Sequence, residues 1–195
     1  MSCLWALPST GQSLTMETLS NKAAIRHQLI AARRALPDAV KAQADARIAA
    51  RLANWIATNK VRIIGVYLPM QGEPDLSALY AQWSDAGLTL AMPIALEKNA
   101  PLAYARWQPG HAMSRDVSGT LAPVAQAPRV QADVIIAPCV GFTEDGLRLG
   151  YGGGYFDRTL AARPRPYSIG VAYACTRTSF AADIYDIALD LIIAE

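Results

Sequence analysis

The stretch VRIIGVYLP, Val61–Pro69, marks the point where the hydrophobic period of the chain changes. Apolar, largely β-branched residues follow one another until a proline ends the run, the pattern of a strand buried on both faces. Upstream the spacing is helical. SNKAAIRHQLIAARRALP (20–37) predicts a first helix, with Ser20 as N-cap, Ile25, Leu29 and Leu36 near helical spacing and Pro37 as its stop. DAVKAQADARIAARLANWIATNK (38–60) predicts a second, with Ile48, Leu52, Trp55 and Ile56 on one side. Downstream, a helix is expected from about Asp75 to Ala86, then strands from about Leu88 to Met92 and at LAYARW (102–107). QPGHAMSRDVSG (108–119) reads as a loop and APVAQAPRVQ (122–131) as an extended surface connection. DVIIAP (133–138), YSIGVAY (167–173) and LDLIIAE (189–195) are further buried strands, with a short helix from about Tyr155 to Ala162.

Apolar strands alternating with helices predict an α/β fold. The expected form is a three-layer, Rossmann-like, open and mainly parallel sheet with helices on both faces, in one domain over 20–195. Ligands of such sheets gather beyond the carboxyl ends of the strands. VYLPMQGEPD (66–75) and RLGYGGGYFDRTL (148–160) both follow buried strands and are expected to share one site. Residues 1–19 are expected to be a disordered tail, or to lie upstream of a true start at Met16; they lack the basic start and apolar middle of a signal peptide.

Composition removes several functions. The 195 residues are 52% hydrophobic and 17% charged, which suits a folded globule with its own core. A net charge of +2, from 18 basic and 16 acidic residues, supplies no general field for nucleic acid. No apolar run reaches the roughly 18–20 residues that span a bilayer. The three cysteines, Cys3, Cys139 and Cys175, form no CxxC pair, and the two histidines, His27 and His111, stand alone. Neither structural zinc nor a disulfide framework is expected, and the cytoplasm is the expected compartment. A hydrolase triad is hard to build from two isolated histidines.

The glycine-rich stretch fails two common phosphate templates. A Walker A loop needs Gly-Lys-Ser/Thr after four residues, and Tyr155 stands at the position that follows from Gly150. The dinucleotide pattern GxGxxG places Tyr155 or Asp157 where its third glycine belongs. The residues still suit an anion. Glycines leave N–H groups uncovered, a following helix adds its dipole, Arg148 and Arg158 offer charge-assisted bonds, and Asp157 is a hard oxygen ligand. A tight turn with a surface Arg–Asp pair fits the same residues.

GFTEDGLRLGYGGGYFDRTL (141–160) resembles the signature of the 5-formyltetrahydrofolate cyclo-ligase family, which runs G-x-R-L-G-x-G-x-G-Y-[YF]-D after a strand ending in proline. Pro138, Gly146, Arg148, Leu149, Gly150, Gly152, Gly154, Tyr155 and Asp157 all match. KAAIR (22–26), with its K-x-x-x-R spacing, and the glutamate of YLPMQGEPD (67–75) occur in the family's order. The resemblance covers nearly the whole chain from Ser20. It implies an enzyme that uses ATP and Mg²⁺ to cyclise 5-formyltetrahydrofolate, with or without a polyglutamate tail, to 5,10-methenyltetrahydrofolate. It further implies a monomer that partners neither nucleic acid nor membrane. A catalytically silent folate- or nucleotide-binding paralogue and an RNA-binding module on the Arg-rich first helix are the competing readings.

By the same resemblance, Lys22, Arg26, Arg148, Leu149, Gly150, Gly152, Gly153 and Gly154 would bind ATP, and Arg148 and Asp157 would serve catalysis. Asp157 and Asp186 would hold the metal. Glu73 would meet the donors of the pterin, with Leu68, Met70, Tyr151, Gly152, Gly153, Gly154 and Tyr155 lining the folate side. Lys22 and Arg26 share a helical face, with Arg33 further along. Tyr67, Tyr104 and Trp107 are candidates for stacking on a ligand, but core packing is the better reading of each. Some relatives carry lysine where Gly153 stands, and many bacterial members have histidine in place of Tyr185.

Overall fold

A computed structural model describes the backbone of residues 11–195 and the side chains of residues 21–195. Of the tail expected over 1–19, residues 1–10 lie outside the described residues, and 11–19 are helical, which corrects the disorder expected there. Helix α1 (Gly11–Arg34) takes in Ser20, which therefore sits inside the helix and does not cap it. In chain order there follow α2 (Asp38–Thr58), β1 (Ile63–Gly65), α3 (Ser77–Asp85), β2 (Thr89–Ile94), β3 (Ala103–Trp107), β4 (Met113–Arg115) and β5 (Leu121–Pro123). The chain is completed by β6 (Val134–Pro138), β7 (Gly141–Phe142), β8 (Arg148–Leu149), α4 (Tyr155–Ala161), β9 (Tyr167–Ala172) and β10 (Leu191–Ala194). Pro37 serves at the junction of the first two helices. It cannot continue α1, and it occupies the N-cap position of α2, where Asp38 in the first turn complements the dipole.

The main sheet has six strands in the order β10-β9-β6-β1-β2-β3. Its neighbours pair in parallel except β2 and β3, which pair antiparallel at one edge. Ile64, Val134 and Ile136 are almost fully buried, as strands covered on both faces require. On one face, Ile48, Leu52 and Ile56 of α2 and Leu79, Tyr80 and Trp83 of α3 pack against Ile64, Leu90, Ile136, Ile169 and Ile193. On the other, Phe156 and Leu160 of α4 cover Ala137, Ala172 and Ile135 together with Leu189 and Val130. The structure is the expected single α/β domain with a mostly parallel central sheet.

Three local expectations are corrected. Within VRIIGVYLP only Ile63–Gly65 pairs as strand; Val66 still donates to Ala91 O at 2.8 Å, and the chain then leaves the sheet in a turn whose tip, Met70 to Gly72, is exposed. The expected loop 108–119 and connection 122–131 contribute β4 and β5, a small antiparallel pair. The segment ahead of the glycines holds a second one, β7 with β8, in which Phe142 faces Arg148. Such two- and three-residue strands are too short to show a period of their own. Tyr67, Tyr104 and Trp107 are buried in the core, as packing predicts.

Strand order places the candidate site. From β1 the chain moves to β2 on one side, whereas β6 lies on the other and leads on to β9. The connections leaving the carboxyl ends of β1 and β6 therefore diverge and open a crevice at a topological switch point. The turn 66–76 and the segment 139–154 both start there, and α1 lies against them.

Candidate active site

Helix α1 meets the crevice with a polar face. Lys22 and Arg33 are buried, with Ile25, Arg26, Leu29 and Ile30 part-buried between them, so the most deeply buried side chains of this stretch are basic. Lys22 Nζ pairs with Asp186 Oδ2 at 2.6 Å and lies 5.2 Å from the Phe180 ring centroid. Arg26 Nε donates to Gly150 O at 2.7 Å. Arg33 Nε donates to Gln71 O at 3.0 Å, Nη1 to Cys139 O at 3.3 Å, and Nη2 to Met70 O at 3.3 Å and to the Tyr151 hydroxyl at 2.5 Å. These bonds explain how so charged a helix face is buried: its donors satisfy carbonyls and carboxylates of the crevice loops. Gly141 allows the approach, since a Cβ there would overlap the Leu29 side chain. A basic face turned inward is not a surface for RNA.

The turn after β1 carries Glu73. Gln71 (φ 50°) and Gly72 (φ 78°) reverse the chain, and Glu73 N closes the turn onto Met70 O at 3.0 Å. Glu73 is 3% exposed. Its Oε2 accepts from Met70 N at 2.9 Å and its Oε1 from the Tyr151 hydroxyl at 2.7 Å, with Arg33 Nη2 at 3.7 Å. Burial pushes its carboxyl above the ordinary range, and Tyr151, the Met70 N–H, Arg33 and Arg148 each pull it back. Burial also raises the Tyr151 phenol, with the nearby Glu73 charge adding to it. Leu68 is part-buried beside this turn and Met70 is exposed.

The β7–β8 pair presents the glycines. Arg148, on β8, is 8% exposed; Nη1 donates to Pro138 O at 3.3 Å and the guanidinium lies 4.6 Å from the Phe156 ring centroid. Its Nε has no hydrogen-bond partner among the described residues, and Nη2 is 3.9 Å from Asp157 Oδ2. A Cβ on Gly150 would stand 2.5 Å from Arg148 Nη1, so any larger residue there would displace this guanidinium. Gly152 (φ 97°) and Gly154 (φ 64°) take left-handed conformations that turn the chain into α4. Among the described residues the N–H groups of 151–154 donate no hydrogen bond. Arg158 holds the turn from behind, with Nη2 donating to Gly153 O at 2.5 Å and Nε to Ala100 O at 3.3 Å, above the Tyr155 ring. Arg148 differs from Arg158 in that its unpaired donor, Nε, is buried. Leu149 is buried, so only its backbone reaches the site's surface.

The predicted residues thus fall into linked groups. Lys22 and Asp186 pair at one end; Arg26, Gly150, Arg148 and Asp157 follow; Arg33, Tyr151 and Glu73 form the other end. Asp186 Oδ2 also accepts from Asp183 N at 2.8 Å. Among the described residues no three His, Cys, Asp or Glu side chains group as metal ligands. Cys139 lies beneath the crevice, where burial pushes its thiol up to about 12, so it offers no thiolate near neutrality. Arg33 is the residue that motif reading passed over. It lies seven positions beyond Arg26, on the same helical face, and that spacing was its only sign.

A mostly parallel α/β sheet with an uncovered N–H turn, an under-satisfied buried arginine and a buried carboxylate at its switch point has the chemistry to suit an anionic small molecule beside a donor-rich one. The model of the 5-formyltetrahydrofolate cyclo-ligase family matches residues 18–194, and the chain belongs to that family. It is accordingly an enzyme of the ligase class. A 5-formyltetrahydrofolate cyclo-ligase from Mycolicibacterium smegmatis is 30% identical over 150 residues, covering 72% of this chain and 75% of the relative. One from Mycoplasma pneumoniae is 28% identical, covering 90% of this chain and 99% of the relative. Among solved structures, a 5,10-methenyltetrahydrofolate synthetase from Mycoplasma pneumoniae superposes with a TM-score of 0.71 at 26% identity, covering 88% of this chain and 97% of that one. The 5,10-methenyltetrahydrofolate synthetase of Aquifex aeolicus gives a TM-score of 0.75 at 25% identity, covering 89% of each chain.

Proposed function

We propose that the chain closes the ring of 5-formyltetrahydrofolate at the expense of ATP, releasing 5,10-methenyltetrahydrofolate, ADP and phosphate. The formyl oxygen attacks the γ-phosphorus and ADP leaves. The neighbouring N10 then attacks the activated carbon, its proton is lost, and phosphate departs with the former formyl oxygen. Such chemistry asks for positioning and charge neutralisation, and no protein nucleophile is needed. The observation that carries the reading is that one turn bears groups suited to both ligands. Its N–H groups and Arg148 suit triphosphate oxygens, while its Tyr151 hydroxyl reaches the Glu73 carboxylate.

In this reading Lys22, Arg26 and Arg148 hold ATP phosphates together with the backbone of 150–154. Glu73 accepts from the amino and ring N–H donors of the pterin, and Leu68, Met70, Tyr151 and Tyr155 flank it. The donor set fits a Mg²⁺ that arrives with ATP, because such an ion takes one or two carboxylates and fills its shell with phosphate and water. Asp157 is the carboxylate for it, and Asp186 joins if Lys22 exchanges its partner for a phosphate oxygen. The ion would supply charge neutralisation on the β- and γ-phosphates. A monomeric, cytoplasmic enzyme is part of the same proposal. The presence of Lys22, Arg148, Asp157 and Glu73 together favours it over a silent paralogue.

The assay mixes protein, Mg-ATP and 5-formyltetrahydrofolate and follows the absorbance of the methenyl product. Binding of both ligands without product would sink the proposal. Asp157→Asn is expected to lose turnover on the order of a hundredfold while folate affinity holds; equal loss of both would remove Asp157 from the metal.

A further inference from the structure

We infer that Arg33 is a positioning residue for the folate side of the site: through the Tyr151 hydroxyl it fixes the Glu73 carboxylate, joining the two crevice loops that hold the substrate. The inference rests on the cyclo-ligase reading and deepens it. Arg33 is 1% exposed, and a cation so deeply buried must have its donors satisfied. It spends them on the carbonyls of Met70 and Gln71, in the turn that bears Glu73, on Cys139 O at the end of β6, and on Tyr151. A guanidinium has no acceptor, so the Tyr151 oxygen must accept from it. The single phenol hydrogen is then free for Glu73 Oε1, where the structure places it at 2.7 Å. The other oxygen, Oε2, accepts from Met70 N. Both carboxylate oxygens are thus held as acceptors, the state that a pterin edge rich in N–H donors requires.

The arrangement also divides one helix face between two ligands. Lys22 and Arg26 lie toward the Asp186 and Gly150 end, and Arg33 lies two turns further on, against Glu73. An arginine that merely stitched loops together would affect stability, and both substrates alike. An arginine that positions Glu73 affects one substrate, and does so in a pH-dependent way. The groups facing Glu73 are Arg33 from α1, Tyr151 and Arg148 from the glycine segment, Tyr67 after β1, Tyr80 on α3 and Cys139 after β6. Burial raises both core phenols and the thiol, so none of them titrates on the acid side of neutrality. An acid limb in folate use that moves with Arg33 is therefore that of Glu73.

The test measures steady-state KM for each substrate and kcat between mildly acid and neutral pH, with thermal melts alongside, for wild type, Arg33→Lys, Arg33→Met and Tyr151→Phe. Tyr151→Phe keeps every Arg33–carbonyl bond and guards against a misfolded Arg33→Met. For Arg33→Met and Tyr151→Phe, folate KM is expected to rise about tenfold, the effect of losing a hydrogen bond to a charged group, with ATP KM within about twofold of wild type. The acid limb of kcat/KM for folate should move to higher pH in Arg33→Met, because loss of the cation favours the protonated carboxyl. Arg33→Lys should restore the limb, which needs charge, better than it restores KM, which needs the fork geometry. Parallel rises in both KM values, or a lowered melting point with an unmoved limb, would overturn the inference. If wild type makes no methenyl product, the cyclo-ligase reading fails first, and the same comparison is made on folate Kd by direct titration. A Kd unchanged in all three variants then overturns the inference by itself.

Discussion

Glu73 is buried, carries a carboxyl raised above its ordinary range, and is held by groups that favour its charge. For stability the sign is definite. A carboxyl whose folded value lies above its unfolded one stabilises the fold below the unfolded value, and that stability is lost as pH rises through the folded one. For the proposed pterin contact the sign is opposite, because N–H donors would need the ionised form, which is lost as pH falls through the same value. Glu73→Gln removes that pH dependence. It also puts an NH₂ where one oxygen accepts from Tyr151 or Met70 N, and it leaves the buried Arg33 without its carboxylate. The ligand-free protein is therefore expected to be less stable at neutral pH. The substitution should raise folate KM by tenfold or more, as loss of a charged acceptor does, and abolish the acid limb of folate use. A variant with normal folate KM would take Glu73 out of the substrate site. At this scale the family signature made Glu73, Arg148 and Asp157 legible, because each sits at a fixed distance from glycines or prolines that punctuate the chain. Arg33 carried no such punctuation. Its partners lie 37 and 38 residues away at Met70 and Gln71 and 118 away at Tyr151, beyond the reach of any local pattern.

Among the elements, α1 is unusual in docking through charge more than through apolar contact. Its approach depends on Gly141. A methyl group there would overlap the tip of Leu29 and stand 3.2 Å from both Thr176 O and Thr178 Cγ2, so the Leu29 side chain must repack or the helix and β7 must part. Gly141→Ala is expected to cost roughly 1–3 kcal/mol of stability, as overpacking does. It should also raise KM for both substrates, since α1 carries Lys22 and Arg26 as well as Arg33. Urea melts and paired KM measurements check this; normal kinetics in a destabilised variant would mean that the α1 register does not matter to the site. The long elements were legible because their patterns are strong: Ile48, Leu52 and Ile56 line the buried side of α2, and VIIAP (134–138) is buried throughout as β6. The short pairs β4–β5 and β7–β8 were not, since two or three residues hold no period and cross-strand partners alone define them.

Across the whole molecule, the site belongs to no single element. α1, the turn after β1, the segment after β6 and the loop that holds Asp186 meet at the sheet's switch point, so ligands should bind only the assembled fold. ATP or folate at a hundredfold excess over Kd is expected to stabilise the protein by about 2.7 kcal/mol, with a rise in Tm that grows with ligand concentration. Their effects should add when an unreactive folate is used if, as proposed, phosphate and pterin groups take different ends of the crevice. A melting point unmoved by either ligand would contradict this. What the sequence by itself determined is what local chemistry can carry: the alternation of helix and buried strand, and the glycines that let a backbone turn open. It also carried the family pattern that ties Lys22, Glu73, Arg148 and Asp157 to one reaction. Only the tertiary structure decided which charges meet. Strand order brings Lys22 to Asp186, 164 residues on, and Arg33 through Tyr151 to Glu73. Hydrophobic periodicity says that a strand is buried but not beside which neighbour, and the pairing of buried charges follows from that neighbour.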